Sequence, residues 1–138
     1  MRVLLDTNVL LDIYLNRTQF VAASDILQAQ KDNQIQGYIS ASSLTDIYYI
    51  ARRQKGVDIA REAVRLSLDT FGICAVNDRL LEDAYAVAGK DFEDDLQIAS
   101  AQMCGLSAIV TRDKGDFNHS PLPVYTPNEL LQEITKNE

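Results

Sequence analysis

Acidic residues recur in this chain where their type and spacing suit chemistry on a phosphate. Asp6 follows directly on the apolar run Val3-Leu4-Leu5, within Leu5-Asp6-Thr7-Asn8. Asp46 stands in Ser43-Leu44-Thr45-Asp46-Ile47, and Asp91, Glu93, Asp94 and Asp95 crowd one short stretch. Asp113 and Asp116 lie in Thr111-Arg112-Asp113-Lys114-Gly115-Asp116-Phe117. Carboxylates brought together repel unless something positive lies between them. Mg2+ or Mn2+ takes carboxylates and water as ligands and activates water for attack on phosphate. A set of carboxylates without histidine suits these hard cations better than zinc, which prefers nitrogen and sulfur.

Each acid also has a plainer account. Asp6 can cap a helix. The Asp91–Asp95 cluster can answer a helix dipole. Asp46 can be a solvated helix residue, and Asp113 and Asp116 can form turns. None of these explains the joint pattern, in which acids follow separate strands and can converge on one edge of one sheet. Other chemistries have less to stand on. The single histidine, His119, falls in the loop Asn118-His119-Ser120-Pro121 and reads as a surface loop residue, and no G-x-S-x-G elbow accompanies it. No phosphate-cradling GxxxxGK[ST] and no GxGxxG occurs. Asp6-Thr7-Asn8 lacks the second acid of an aspartyl-phosphate phosphatase.

The elements that must position these acids are readable from hydrophobic period. Val3-Leu4-Leu5, Tyr38-Ile39, Ile73 to Val76, Ala108-Ile109-Val110 and Val124-Tyr125 read as short buried strands. Helical spacing covers Thr7 to Leu15, Phe20 to Gln30, the segment of Leu44, Ile47, Tyr48 and Ala51, and Val57 to Leu68. Ser42 or Ser43 is expected to cap the third of these. Asn77 or Asp78 is expected to cap a helix ending near Gly89, and Asp91 to start one closed by Gly105. Thr126 and Pro127 open a last helix through Ile134. Short apolar strands separated by helices predict a three-layer α/β/α sandwich around a central, mostly parallel sheet, with functional groups beyond the carboxyl ends of its strands.

Composition narrows the class. The chain has 138 residues, 46% hydrophobic and 24% charged, so residues 1–138 are expected to form one domain. No apolar run approaches the length of about 18 that spans a bilayer, and Asp6 interrupts the first one too early for a secretion signal. A cytoplasmic protein without a membrane partner is expected. Cys74 and Cys104 have no CxxC spacing and read as buried free thiols. Thirteen Lys+Arg against twenty Asp+Glu give a net charge of −7, which argues mildly against nucleic acid unless metal neutralises the site. Arg52, Arg53 and Lys55 form the densest basic patch, either for phosphate contacts or as a solvated helix end.

Three segments resemble the motifs of one family. Leu4-Leu5-Asp6-Thr7-Asn8-Val9-Leu10-Leu11-Asp12 is similar to the opening of the PIN-domain family, and Asp91-Phe92-Glu93-Asp94-Asp95-Leu96-Gln97-Ile98-Ala99 to its central acidic helix start. Ile109-Val110-Thr111-Arg112-Asp113-Lys114-Gly115-Asp116-Phe117 is similar to its last motif, and the three follow the family's order and spacing over nearly the whole chain. The resemblance implies an α/β/α sandwich and a Mg2+- or Mn2+-dependent endoribonuclease. Many small bacterial members are VapC-type toxins held inactive by an antitoxin, and members commonly self-associate as homodimers.

Carried over residue by residue, the resemblance makes Asp6, Asp94 and Asp116 the metal ligands. Thr111 matches the hydroxyl residue near the last acid, and Asn8 the polar residue beside the first. The second catalytic acid is usually glutamate; here Asp46 takes its place, one methylene shorter. Glu93 and Asp113 would support the set, and Asp95 stands where a small residue is usual, adding negative charge. The expected reaction is hydrolysis of RNA by a metal-activated water, leaving a 5′-phosphate and a 3′-hydroxyl. Two other outcomes stay open: a non-catalytic PIN-like binding module, and a metal-dependent phosphatase or other hydrolase of a small substrate.

Overall fold

A computed structural model describes residues 1–17 and 19–136. In chain order the elements are β1 (Arg2–Leu5), α1 (Thr7–Tyr14), α2 (Phe20–Lys31), β2 (Gln36–Ser40), α3 (Ala41–Lys55), α4 (Val57–Thr70) and β3 (Gly72–Cys74). They continue with α5 (Asp78–Val87), α6 (Phe92–Met103), β4 (Ala108–Val110), a 3-10 turn (Lys114–Phe117), β5 (Val124–Tyr125) and α7 (Pro127–Lys136). The strands form one parallel sheet in the order β3-β2-β1-β4-β5.

Side chains of successive strand residues leave on opposite faces, and the core follows that period. Val3 and Leu5 of β1, with Ala108 and Val110 of β4, pack with residues of α1, α2, α3, α4 and α7. Leu4 and Ile109 face the other way, onto Ile98 and Ala101 of α6 and onto Phe117. Helix α5 then packs on α6 through Leu80, Ala84, Leu96 and Ala99. Covered on both sides, β1 must be apolar without alternation, as its sequence is. The result is the expected α/β/α sandwich.

The connections explain where a site can form. From β1 the chain winds outward to β2 and β3 with α1 to α4 on one face. It then returns through α5 and α6 on the opposite face to place β4 on the other side of β1. The winding therefore reverses between β1 and β4, and a crevice opens beyond the carboxyl ends of those two strands. Asp6 and Thr111 are the residues that leave them.

Helix starts agree with capping chemistry in three places. Asn77 accepts the Leu80 N–H at 2.9 Å. Asp91 accepts the N–H groups of Glu93 at 2.9 Å and Asp94 at 3.3 Å. Thr126 and Glu129 form a reciprocal capping box on α7, with Pro127 in the first turn. The expectation for α3 is corrected. Strand β2 runs into α3 without a loop, so Ser40 holds the capping position, without a side-chain cap bond, and Ser42 and Ser43 lie inside the helix. The buried Ser43 hydroxyl instead accepts from Thr7 at 2.9 Å.

One further boundary differs. Strand β3 stops at Cys74 rather than Val76, because its partner β2 ends at Ser40, the residue opposite Cys74. Helix α5 ends near Gly89 as expected, turning off at Ala88, which adopts the left-handed conformation (φ 57°). The segment after β4 closes a 3-10 turn, with the Asp116 N–H on the Asp113 carbonyl at 3.1 Å, which seats Phe117 in the core. Both cysteines are free; Cys74 is buried but Cys104 only partly so. Among the described residues no helix is long and apolar enough to cross a membrane.

Candidate active site

Asp6 occupies the capping position of α1, yet its side chain makes no cap hydrogen bond. The first turn closes through the Val9 N–H on the Asp6 carbonyl. The carboxylate, 6% exposed, is held from two other elements instead. Gln97 of α6 donates from Nε2 to Oδ1 at 2.8 Å, and Thr111, leaving β4, donates from Oγ1 to Oδ2 at 2.9 Å. The Asp6 N–H bonds the Val110 carbonyl at 2.9 Å, so backbone and side chain are both tied to β4. Burial pushes the Asp6 carboxyl above the usual carboxylate range, and the bonds from Gln97 and Thr111 oppose that rise.

The other acids arrive from α3, α6 and the 3-10 turn. Glu93 is pushed up to about 7, first by burial and then by the charges of Asp6, Asp46 and Asp94. Asp94 is also pushed up to about 7, by burial and then by Asp91, Asp6, Asp116 and Asp95. Burial raises Asp46 as well. Acids distant in sequence thus sense one another around the Asp6 end of β1. Among the described residues, one group brings its carboxylate oxygens within 4.8 Å of one another: Asp91, Glu93 and Asp94. Asp94 and Asp116 both line a cavity of about 420 Å³ that Gly89, Lys90, Asp91 and His119 also border.

The remaining expected residues lie farther out. Asn8 sits on α1 just past Asp6 and accepts from Arg17 Nη1 at 3.3 Å. Asp113 is exposed, and its N–H donates to Thr111 Oγ1 at 3.1 Å, which orients the hydroxyl that holds Asp6. Arg52, Arg53 and Lys55 are exposed on the last turn of α3, toward the end of the helix away from Asp46. Asp95, expected to load more charge onto the site, turns its carboxylate elsewhere. It is buried, accepts the Gly89 N–H at 3.0 Å and pairs with His119 Nε2 at 2.9 Å. Its charge is the last of those acting on Asp94. His119 is therefore more than a surface loop residue.

Two features carried no role in the sequence reading. Gln97 is fully buried and its Nε2 also lies 3.2 and 3.3 Å from the two Glu93 oxygens, so one amide ties two acids together. The signal was its position one helical turn after Glu93, where the two side chains share a face. Arg112 reaches back to the buried Asp12 of α1 at 2.7 Å. No local pattern announces that pair.

The donor set can be tested against a divalent cation. Every candidate ligand is a carboxylate oxygen, the class that hard cations take. Glu93 and Asp94 hold protons to about 7, the mark of negative charge crowded together without compensation. Gln97 Oε1, on the side chain that ties Asp6 to Glu93, is buried without a partner. A donor set of this chemistry fits a hard divalent cation better than zinc.

Known proteins share the fold that carries these residues. The profile of the PIN domain matches residues 2–115. No curated protein matches the chain in sequence. Among solved structures, the chain is similar to a chain of a toxin–antitoxin complex from Klebsiella pneumoniae, with 26% identity and a TM-score of 0.69 over 91% of this chain and 97% of that one. It is similar in fold to a VapC toxin of Mycobacterium tuberculosis described as cleaving the sarcin–ricin loop, with 15% identity and a TM-score of 0.69 over 83% and 92% of the two chains. A DNA-bound VapBC complex from Salmonella typhimurium contains a chain of the same fold, 14% identical with a TM-score of 0.73 over 92% and 98%.

Proposed function

The chain belongs to the PIN-domain family, and from that premise we propose that it is a metal-dependent endoribonuclease and the toxin of a toxin–antitoxin pair. The observation that carries the reading is the placement of Asp6. A buried carboxylate leaves its helix uncapped and stands, held by Gln97 and Thr111, beside Glu93 and Asp94. The likeness to a VapC toxin described as cleaving the sarcin–ricin loop supports RNA as the substrate class, and the likeness to a chain of a toxin–antitoxin complex supports an antitoxin as the partner.

In this reading Asp6, Asp94 and Asp116 would hold Mg2+ or Mn2+, Asp46 would assist directly or through water, and Glu93 and Asp91 would face the same charge. Such a cation, when bound, lowers the pKa of water and offsets charge on the scissile phosphate. The chain's own groups do the rest. Gln97 and Thr111 each fix one oxygen of Asp6, so its orientation does not depend on solvent. The Glu93 carboxyl shares the Gln97 amide with Asp6, so the same side chain fixes both acids beside each other. Arg52, Arg53 and Lys55 offer contacts to RNA phosphates away from the cut, and Asn8 and Asp113 support the elements that carry Asp6 and Thr111.

The test is cleavage of a structured RNA pool by purified protein in Mn2+, Mg2+ or EDTA, alongside Asp6→Asn. Cutting is expected with either cation and not in EDTA, and at least about 100-fold less in the variant. Undiminished metal-dependent cutting by Asp6→Asn would remove Asp6 from the site. Folded, partner-free protein that cuts no RNA would be a binding module, and one that cleaves only simple phosphate esters would be a small-substrate hydrolase.

A further inference from the structure

We propose that Asp95 and His119 form a positioning clamp that sets how Asp94 stands relative to Asp116, and thereby the affinity of the acidic cluster for a divalent cation. The proposal rests on the reading above that these acids hold one.

Asp94 and Asp95 are neighbours on α6, but their carboxylates serve different ends. Asp94 borders the cavity with Asp116, whereas Asp95 is withdrawn into the protein, its side chain 4% exposed. Both of its oxygens are engaged: Oδ1 by His119 Nε2 at 2.9 Å and Oδ2 by the Gly89 N–H at 3.0 Å. His119 lies shortly after Asp116 in the segment that follows the 3-10 turn. The pair therefore joins the helix bearing Asp94 to the segment bearing Asp116. Phe117, 1% exposed in the cluster beneath α6, anchors the same segment between Asp116 and His119.

Gly89 shows how closely the clamp is built. A Cβ there would lie 2.3 Å from Asp95 Oδ1 and 2.5 Å from His119 Nε2. Only a residue without a side chain lets the loop before α6 close on the pair. The placement also works against stability. Asp95 adds a negative charge next to a crowded set, and its charge is one of those acting on Asp94. Burying a further carboxylate beside Asp94 is reasonable if it fixes geometry that the exposed turn would not hold by itself.

The experiment measures Mn2+ binding, read from the free-ion electron paramagnetic resonance signal, together with thermal melting in EDTA. The proteins are the wild type, Asp94→Asn, His119→Ala, His119→Gln and Gly89→Ala. Glutamine can place an amide N–H where His119 Nε2 donates. His119→Ala should weaken Mn2+ binding about 10- to 100-fold, while His119→Gln should stay within about threefold of the wild type. Gly89→Ala should weaken it too, and it decides the matter if His119→Ala does not fold. A folded His119→Ala or Gly89→Ala that binds Mn2+ like the wild type overturns the clamp, as does a well-folded His119→Gln as weak as His119→Ala. Weakening by Asp94→Asn without any effect of the clamp variants sinks the clamp and leaves the metal site standing. A wild type that binds no Mn2+ sinks the metal site, and the clamp with it.

Discussion

Replacing Arg112 by methionine should destabilise the protein in a pH-dependent way. Arg112 Nη1 lies 2.7 Å from Asp12 Oδ1; the Asp12 side chain is 1% exposed and that of Arg112 31%. Removing the guanidinium leaves a buried carboxylate without its partner. Losing one member of a fully buried pair costs about 3–5 kcal/mol, whereas an exposed pair is worth about 0.2–1 kcal/mol. Arg112 is partly solvated and the charge of Arg17 also reaches Asp12, so about 2 kcal/mol is expected at neutral pH. Unfolding entropy of about 2.1 cal/mol/K per residue gives roughly 0.3 kcal/mol/K for 138 residues, so the melting temperature should fall by about 7 °C. The pH dependence follows from Asp12. Burial already holds its carboxyl above the ordinary value and Arg112 is the largest opposing influence. Without Arg112 the folded-state pKa rises further while the unfolded value stays near about 3.9. A raised carboxyl contributes no penalty below its unfolded pKa and destabilises progressively as pH rises through its folded pKa. The deficit against the wild type should therefore be smallest near about pH 4 and full by about pH 7. Melts followed by circular dichroism across that range test it. Asp12→Asn added to Arg112→Met should recover most of the loss, because the amide buries no charge. A deficit as large at pH 4 as at pH 7, or a double variant no more stable than Arg112→Met, refutes the reasoning.

Three other outcomes are expected. In EDTA the wild type should lose stability as pH rises through about 7, because folded Glu93 and Asp94 keep protons that their unfolded forms, with ordinary values of 4.5 and 3.8, release earlier; Glu93→Gln should flatten that profile, measured by melting at pH 5 and 8. Thr126→Ala removes half of the capping box on α7 and should cost about 1 kcal/mol in chemical denaturation. Short pulses of iodoacetamide read by mass spectrometry should label the half-buried Cys104 first, and Cys74, buried and with its thiol pushed up, only on unfolding.

The layer architecture was legible because burial on both faces leaves strands such as Val3-Leu4-Leu5 and Ala108-Ile109-Val110 as unbroken apolar runs between amphipathic helices. The positions of Asp6 and Thr111 followed from the same runs, since the residue after a parallel strand must sit at its carboxyl rim. Which account of Asp6 holds was not legible. A capping aspartate and a site aspartate have the same local sequence, and the two bonds that separate them come from Gln97 and Thr111, distant in the chain. The same limit applies to Asp95 with His119 and to Asp12 with Arg112, whose partners meet only after the sheet is assembled. Ser42 and Ser43 misled for a different reason: serine favours a helix start, but nothing local says that β2 enters α3 without a loop.

Asp6 also departs from the role that its position at the start of α1 offers. Used as a cap, its side chain would add about 1 kcal/mol to α1 and remain hydrated. Instead the chain forgoes that bond, buries the carboxylate, and spends a fully buried glutamine and a threonine hydroxyl on holding it. Around it, Glu93 and Asp94 are pushed up to about 7, first by burial and then by the charges of neighbouring acids, Asp6 among them. A sequence under pressure for stability alone would replace any of these acids with a neutral residue and gain by it. Local rules broken together, by residues from β1, α6 and the edge of β4 that meet at one point of the sheet, are what a functional constraint looks like in a fold that otherwise follows its propensities. The binding of a divalent cation would reverse the sign of that cost, turning the repulsion among the acids into ligation. Asp6→Asn and Glu93→Gln should therefore be at least as stable as the wild type in EDTA and less stable than it in saturating Mg2+; equal ranking in both conditions would mean that the acids are crowded for some other reason.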